Sequence, residues 1–249
     1  MSTGSQTSPA ASSSEDLISL VAVVTGGSRG IGHAIAKTLA SRGARVVITG
    51  RNERHLETAA RELPESIHAV RADVSKPDEA ARAIERAVQT FGGLDVLVNN
   101  AGVGVFANVA DMAIEQWHQV IDTNLSGVFY CTHAALPHLR ARGAGWVINI
   151  SSLAGRNPFA GGAAYCASKA ALNSFSEALM LEVRSDNIRV STIMPGSVAT
   201  GFGGPGGSGD ADWKIAPQDI ADIVLDLVTF PPRSLPSRIE IRPSRPPRK

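Results

Sequence analysis

From about Leu17 onward the chain switches back and forth between two hydrophobic patterns. Short, almost unbroken apolar runs occupy residues 20–27, 45–50, 67–74, 94–102, 145–152, 188–196 and 237–243. Between them lie longer stretches whose apolar residues recur every three or four positions: 31–43, 52–64, 76–93, 114–123, 125–142, 163–185 and 217–230. A continuous apolar run bounded by turn residues reads as a buried strand, and the three-to-four spacing reads as an amphipathic helix. The punctuation agrees. Gly43 falls where a helix end needs left-handed backbone, Pro64 stops the second helix, and Pro77 stands in the first turn of the third. Strands alternating with helices predict a parallel sheet covered on both faces. The expectation is an α/β protein, a single-domain doubly wound parallel sheet of the Rossmann type with about seven strands.

Composition narrows the picture. With 249 residues and 43% apolar side chains, one α/β domain accounts for residues 17–243. Residues 1–16 are rich in Ser, Thr, Gly and Ala and are expected to form a disordered lead. Residues 244–249 read as a basic Pro/Arg tail. No apolar run is long enough to span a bilayer, and the first residues lack the order of a signal peptide, so a cytoplasmic protein without a membrane partner is expected. Cys131 and Cys166 read as two buried thiols in a reducing compartment, and neither belongs to a metal-ligand cluster. A net charge of +1 gives no basic field, and the basic tail has no interleaved aromatics, so nucleic acid is not an expected partner.

Candidate chemistry begins at residues 25–32, "TGGSRGIG", which follow the first strand and open the first helix. Glycines there let a backbone approach a pyrophosphate, and the helix N-terminus offers unpaired N–H groups. The spacing Gly26, Gly30, Gly32 differs from G-x-G-x-x-G, and alone it is also compatible with a tight turn that binds nothing. It resembles the short-chain dehydrogenase/reductase family, and further motifs follow in the family's order. These are Asp73 and Val74 at the end of the third strand, "NNAG" at 99–102, Asn124, Ser152 placed 13 residues before Tyr165, Lys169, and Pro195-Gly196 with Thr200 just beyond. The resemblance covers residues 20–200.

The resemblance implies a dinucleotide lying along the turn at Gly26, Ser28, Arg29, Gly30, Ile31 and Gly32. It would pass Asp73 and Val74 at the adenine, then Asn100, Ala101 and Gly102, and end against Pro195, Gly196, Val198 and Thr200. Members that prefer NAD usually carry Asp at the end of the second strand, where this chain has Gly50 followed by Arg51. A carboxylate there would repel a 2′-phosphate, whereas a guanidinium binds one, and Arg29 offers a second cation. NADP(H) is therefore the expected cofactor, with Arg51 as an ordinary solvated loop residue on the alternative reading.

Tyr165 and Lys169 stand four residues apart in a helical stretch and so share a face. The other tyrosine, Tyr130, has Ala134 at that offset. The bland reading is a core ring beside a solvated lysine. The chemical reading starts from a ketone, whose reduction needs a hydride on carbon and a proton on oxygen. A cation about 5 Å from a phenol, at an effective dielectric of about 20, interacts by roughly 3 kcal/mol. That would lower the phenol pKa by roughly two units. By resemblance, Tyr165 is the general acid and base, and Lys169 also holds the nicotinamide ribose. Ser152, rather than its neighbour Ser151 on the other side of the strand, stabilises the substrate oxygen. Asn124 holds a water linking Lys169 to solvent, or alternatively satisfies backbone inside a helix.

Two segments depart from the family. Residues 201–215 are very glycine-rich, carry Trp213, and are expected to form a flexible substrate loop or, more blandly, a loose surface connection. The C-terminus carries six basic residues and one acidic residue between Arg233 and Lys249, instead of the glycine-rich last strand through which relatives form tetramers. Residues 46–64 and 122–130 most resemble 3-oxoacyl carrier-protein reductases, which implies a small-molecule carbonyl, carrier-bound or free, and a homodimer or homotetramer. A sugar, diketone, quinone or steroid is the alternative substrate, and a catalytically silent NADP(H)-binding regulator the alternative function. The complete set Asn124, Ser152, Tyr165 and Lys169 argues against the regulator, which needs no proton donor.

Overall fold

The computed structural model describes residues 17–202 and 212–246. The expected lead at 1–16, the middle of the expected loop at 203–211 and the last three residues of the tail lie outside that range. Seven strands are present: β1 (Val21–Val24), β2 (Arg45–Gly50), β3 (Ile67–Arg71), β4 (Val96–Asn99), β5 (Gly145–Ile150), β6 (Ile188–Pro195) and β7 (Arg238–Ile241). They form one sheet in the order β3-β2-β1-β4-β5-β6-β7, and every pairing is parallel. Parallel neighbours need crossovers, which the helices supply. These are α1 (Gly30–Ser41), α2 (Glu53–Glu62), α3 (Pro77–Phe91), α4 (Ile114–Ile121), α5 (Gly127–Arg142), α6 (Ala163–Val183) and α7 (Pro217–Val228). One core cluster packs α1, α2 and α7 on one face of the sheet; a second packs α3, α5 and α6 on the other.

The expected order of elements is the observed one, with two local differences. β1, β4 and β5 are buried along their whole length, but β3 and β7 expose alternate or most positions because they are the sheet edges, with only one neighbour to cover them. The third apolar run also stops pairing at Arg71, so Asp73 and Val74 belong to the turn that follows. In that turn Asp73 Oδ1 accepts bonds from the Ser75 N–H and hydroxyl. The second difference is at 122–126. A π turn (Asp122–Ser126) joins α4 to α5, where two separate helices were expected.

The strand order reverses between β1 and β4, one leading to β2 and β3, the other to β5 and β6. In such a sheet the crevice for ligands opens beyond the carboxyl ends of the strands at that point. Beneath it the core is polar at one spot. Asn99 and Asn149 pair directly across β4 and β5, with Asn99 Nδ2 donating to Asn149 Oδ1 at 2.9 Å. Asn99 Nδ2 also reaches the Thr132 hydroxyl on α5, and Asn149 Nδ2 donates to Ser176 Oγ on α6 at 2.8 Å. All four residues are buried. The chain of bonds ties the two central strands to the two helices behind them. Replacing Asn149 by Ala strands an Asn99 donor and a Ser176 oxygen. It is expected to lower stability by about 1–3 kcal/mol, read as a lower urea midpoint at unchanged slope; an unmoved midpoint would show that the network carries no net stability.

Candidate active site

The turn after β1 is built to take an anion. Gly26 and Gly30 have φ of 66° and 57°, which side-chain-bearing residues rarely adopt. Gly32 serves packing instead: a Cβ there would lie 2.4 Å from Asn100 Nδ2 and 2.5 Å from the Gly26 carbonyl oxygen. The amide of Asn100 clamps the turn by donating to the Thr25 and Gly26 carbonyls. α1 has no side-chain cap at its N-terminus and no acidic residue in its first turn, so its leading N–H groups face the crevice uncompensated. These features fit the pyrophosphate of a dinucleotide.

A cavity of about 910 Å³ runs across the carboxyl ends of the strands from this turn. Of the turn residues, Gly26, Ser28, Arg29, Gly30 and Ile31 line it, and Gly32 stands behind them. Arg51, Asp73 and Val74 line one end, with Asn52 and His55 beside them. Asn100, Ala101 and Gly102 form its floor after β4. Pro195, Gly196, Val198 and Thr200 line it after β6, and Thr200 packs against Gly30. A parallel bridge between Val198 and Ile215 fastens that segment to the start of α7, with the Ala199 N–H donating to the Ile215 carbonyl at 2.8 Å.

Ser152, Tyr165 and Lys169 also line the cavity. Tyr165 stands in the first turn of α6 and shares a hydrogen bond with the Ser152 hydroxyl, which in turn accepts from the Ala154 N–H at 3.1 Å. The neighbouring Ser151 turns its Oγ toward α6, bonding Asn173 Oδ1 at 2.6 Å and the Lys169 carbonyl at 3.3 Å. Lys169 is only 5% exposed; its Nζ donates to the Ile150 carbonyl at 2.8 Å and lies 5.9 Å from the centre of the Tyr165 ring. Asn124, within the π turn, is fully buried and stands behind the cavity. Its Oδ1 accepts from the Val103 N–H, and its Nδ2 donates to the Val103 carbonyl and to Ser168 Oγ. Both amide donors are thus engaged, and the side chain staples the segment after β4 to α6.

The electrostatics correct one expectation. The phenol of Tyr165 is pushed above its ordinary value, not below it, because burial outweighs the opposing hydrogen bond from Ser152, and Cys166 adds a smaller upward push. Burial also pulls the Lys169 ammonium down to about 8. The Lys169 amine, drawn to the Ile150 carbonyl, does not offset the burial of the phenol.

The sequence motifs miss the aromatic end of the cavity. Phe106, Phe159 and Phe202 come from the segments after β4, β5 and β6 and line it together. Phe106 and Phe202 flank Tyr165 at centroid distances of 5.7 and 5.6 Å, and Phe159 packs on Phe106 at 5.8 Å. Trp213, the aromatic that the glycine-rich segment singles out, does not line the cavity; its neighbour Lys214 does. Arg242, from the C-terminal departure, also lines the cavity, while its guanidinium bonds Glu240 at 2.9 Å.

A doubly wound parallel sheet with an anion-binding glycine turn at its switch point, and a buried tyrosine–lysine pair in the same crevice, is the frame of a nucleotide-dependent oxidoreductase. The chain belongs to the short chain dehydrogenase family, whose profile matches residues 20–208. It is 38% identical over 224 residues to an uncharacterized oxidoreductase of Staphylococcus aureus (strain MRSA252), covering 90% of this chain and 96% of that one. A metagenomic short-chain oxidoreductase solved in complex with NADP superposes with a TM-score of 0.81 at 39% identity, covering 93% of this chain and 100% of the other. An alcohol dehydrogenase from the archaeon Thermococcus sibiricus, solved with 5-hydroxy-NADP, gives a TM-score of 0.84 at 30% identity, covering 92% and 99%.

The buried lysine makes a prediction about stability. Its pKa in the fold, about 8, lies below that of the unfolded chain, 10.5. Below pH 8 both states are protonated and the fold bears the full cost of the buried charge. Between pH 8 and 10 the unfolded chain holds more protons, so stability rises with pH. The full effect is about 3 kcal/mol. Tyr165, raised in the fold, works in the opposite sense only above its unfolded value of 10. In urea titrations of the protein without nucleotide, the midpoint is expected to climb from pH 8 to 10. Lys169→Met should flatten that climb; an identical slope in the variant would refute it.

Proposed function

We propose that this protein is an NADP(H)-dependent oxidoreductase that interconverts a ketone and a secondary alcohol, with Tyr165 as the proton-transferring residue. The observation that carries this reading is the convergence of the Tyr165 phenol, the Ser152 hydroxyl and the buried Lys169 ammonium on one cavity that continues to the glycine turn. The bound dinucleotide supplies the hydride. The chain's own residues handle the oxygen and its proton. Ser152 hydrogen-bonds the substrate oxygen and stabilises the charge that develops there. Tyr165 donates its proton to that oxygen, and Lys169 stabilises the phenolate left behind. With a pKa of about 8, Lys169 exchanges protons with solvent near neutrality, which suits a relay. Asn124 keeps the relay's surroundings in place through its side chain, whose amide bonds Val103 and Ser168.

The cofactor reading rests on the far end of the cavity. Arg51 and Arg29 line it, exposed, where a 2′-phosphate would lie, and Gly50 leaves no carboxylate to oppose one. The two solved neighbours named with NADP or its 5-hydroxy derivative support the same choice. As the family resemblance implies, the protein is taken to act as a homodimer or homotetramer. The same proton and hydride transfer serves 3-oxoacyl thioesters, diketones, quinones, sugars and steroids. Substrate choice therefore lies with the walls around Tyr165.

Two measurements test this reading. Tyr165→Phe is expected to bind NADPH within about twofold of the parent and to lose at least about 100-fold in kcat; a retained rate would remove Tyr165 from the chemistry. Arg51→Ala is expected to reduce the preference for NADPH over NADH, as the ratio of kcat/KM values, by roughly 10- to 100-fold. Gly50→Asp, whose Cβ would meet Ser28 Oγ at 3.3 Å and Leu56 at 3.4 Å, should move the ratio in the same direction. Equal use of both cofactors by the parent protein would end the case for Arg51.

A further inference from the structure

Only seven phenylalanines occur in 249 residues, and three of them meet at one end of the cavity. Phe106, Phe159 and Phe202 leave 47%, 49% and 39% of their surface exposed, although each packs on another ring. Each ring lies over a glycine, where the missing side chain leaves it room. Phe106 and Phe202 both press on Gly104, where a Cβ would lie 2.9 and 2.8 Å from their rings. Phe159 closes on Gly162, where a Cβ would lie 2.5 Å away. The phenol of Tyr165 thus stands between ring faces and edges with bare apolar surface beside it. Such surface in a cavity marks a place where apolar ligand displaces water.

Two of the polar groups that line this end are already engaged. Arg242 is bonded to Glu240, and Asn157 Nδ2 donates to the Leu153 carbonyl at 3.3 Å. Glu240 is also held from the other side by Arg156. A polyhydroxylated guest would lose its hydration here and gain few partners in return. A flat ring, by contrast, meets edges and faces at the 4.5–7 Å spacing that aromatic pairs prefer.

We propose that the substrate is an apolar ketone, or the corresponding secondary alcohol, that carries an aromatic or alicyclic ring next to the carbonyl, seated against Phe106, Phe159 and Phe202. This rests on the ketone–alcohol reading of Tyr165 and narrows it.

The test compares kcat/KM, with NADPH in excess, for acetophenone, 1,3-dihydroxyacetone and the acetoacetyl thioester of N-acetylcysteamine. Acetophenone is expected to lead both others by at least about 100-fold. In Phe106→Ala and Phe202→Ala the ratio of acetophenone to dihydroxyacetone is expected to fall roughly tenfold each. A lead for dihydroxyacetone or the thioester overturns the inference and leaves the ketone reading standing. So does a ratio unmoved in both variants, because that outcome gives the rings a structural role only. Turnover of none of the three overturns the proposed ketone and leaves only the ring-binding wall to be tested. The wall is then decided by binding alone, using the fluorescence of 1-naphthol, which has no carbinol hydrogen to lose. Binding by the parent that weakens roughly tenfold in the two variants upholds a ring-binding wall; absence of binding overturns it.

Discussion

A protonated amine placed where water has little access sets the terms for this site. Lys169 is 5% exposed, has the Ile150 carbonyl as its direct partner, and is pulled down to about 8 by burial. An ammonium in such a place is tolerated only where its surroundings cannot relax away from it. The hydrogen bonds along α6 show how that rigidity is obtained. Ser168 is tied through Asn124 to Val103. The Lys169 carbonyl and the Asn173 side chain are tied to Ser151 at the end of β5. Ser176 is tied to Asn149 within β5. These ties run down one side of the helix and join it to the strand whose last carbonyl receives the amine. The buried asparagines of the central strands and the reactive end of the cavity are therefore anchored to the same helix.

The cavity is divided by chemistry along its length. Where β1 and β2 end, its walls are backbone amides, glycines and the cations Arg29 and Arg51, suited to phosphate. Where β5 and β6 end, its walls are aromatic. Tyr165 sits at the seam, sharing a hydrogen bond with Ser152 and flanked by Phe106 and Phe202. The apolar side explains why the phenol titrates upward: the rings that would receive a substrate also keep solvent from stabilising a phenolate.

Much of this was legible in the residues, and what was not has physical reasons. Strands buried on both faces announce themselves as apolar runs, so β1, β2, β4, β5 and β6 stand where expected. Motif residues such as Thr25, Asn100 and Ser152 extend those runs beyond the last ladder partner because they serve the crevice and not the sheet. Spacing along a helix put Tyr165 and Lys169 on one face, yet the direction of the phenol's shift depends on burial by side chains from three other segments, which spacing does not reveal. The phenylalanine wall is hidden for the same reason. Positions 106, 159 and 202 share no motif and become neighbours only because parallel strands bring their carboxyl ends together. Asn124 is a third case, since the helical pattern breaks at 124 but does not show that a widened turn carries the helix through it.

That widened turn amounts to a phase shift between the two helices it joins end to end. Each residue added to a helix rotates all that follows by about 100°. The apolar face of α5, with Cys131, Ala135 and Leu139 against the sheet, is consequently aimed by the number of residues in 122–126 as well as by its own spacing. Winding the same five residues as a regular helix would turn α5 away from its seat, whereas surface turns elsewhere absorb such changes freely. The width of the turn and its residue count are therefore fixed together.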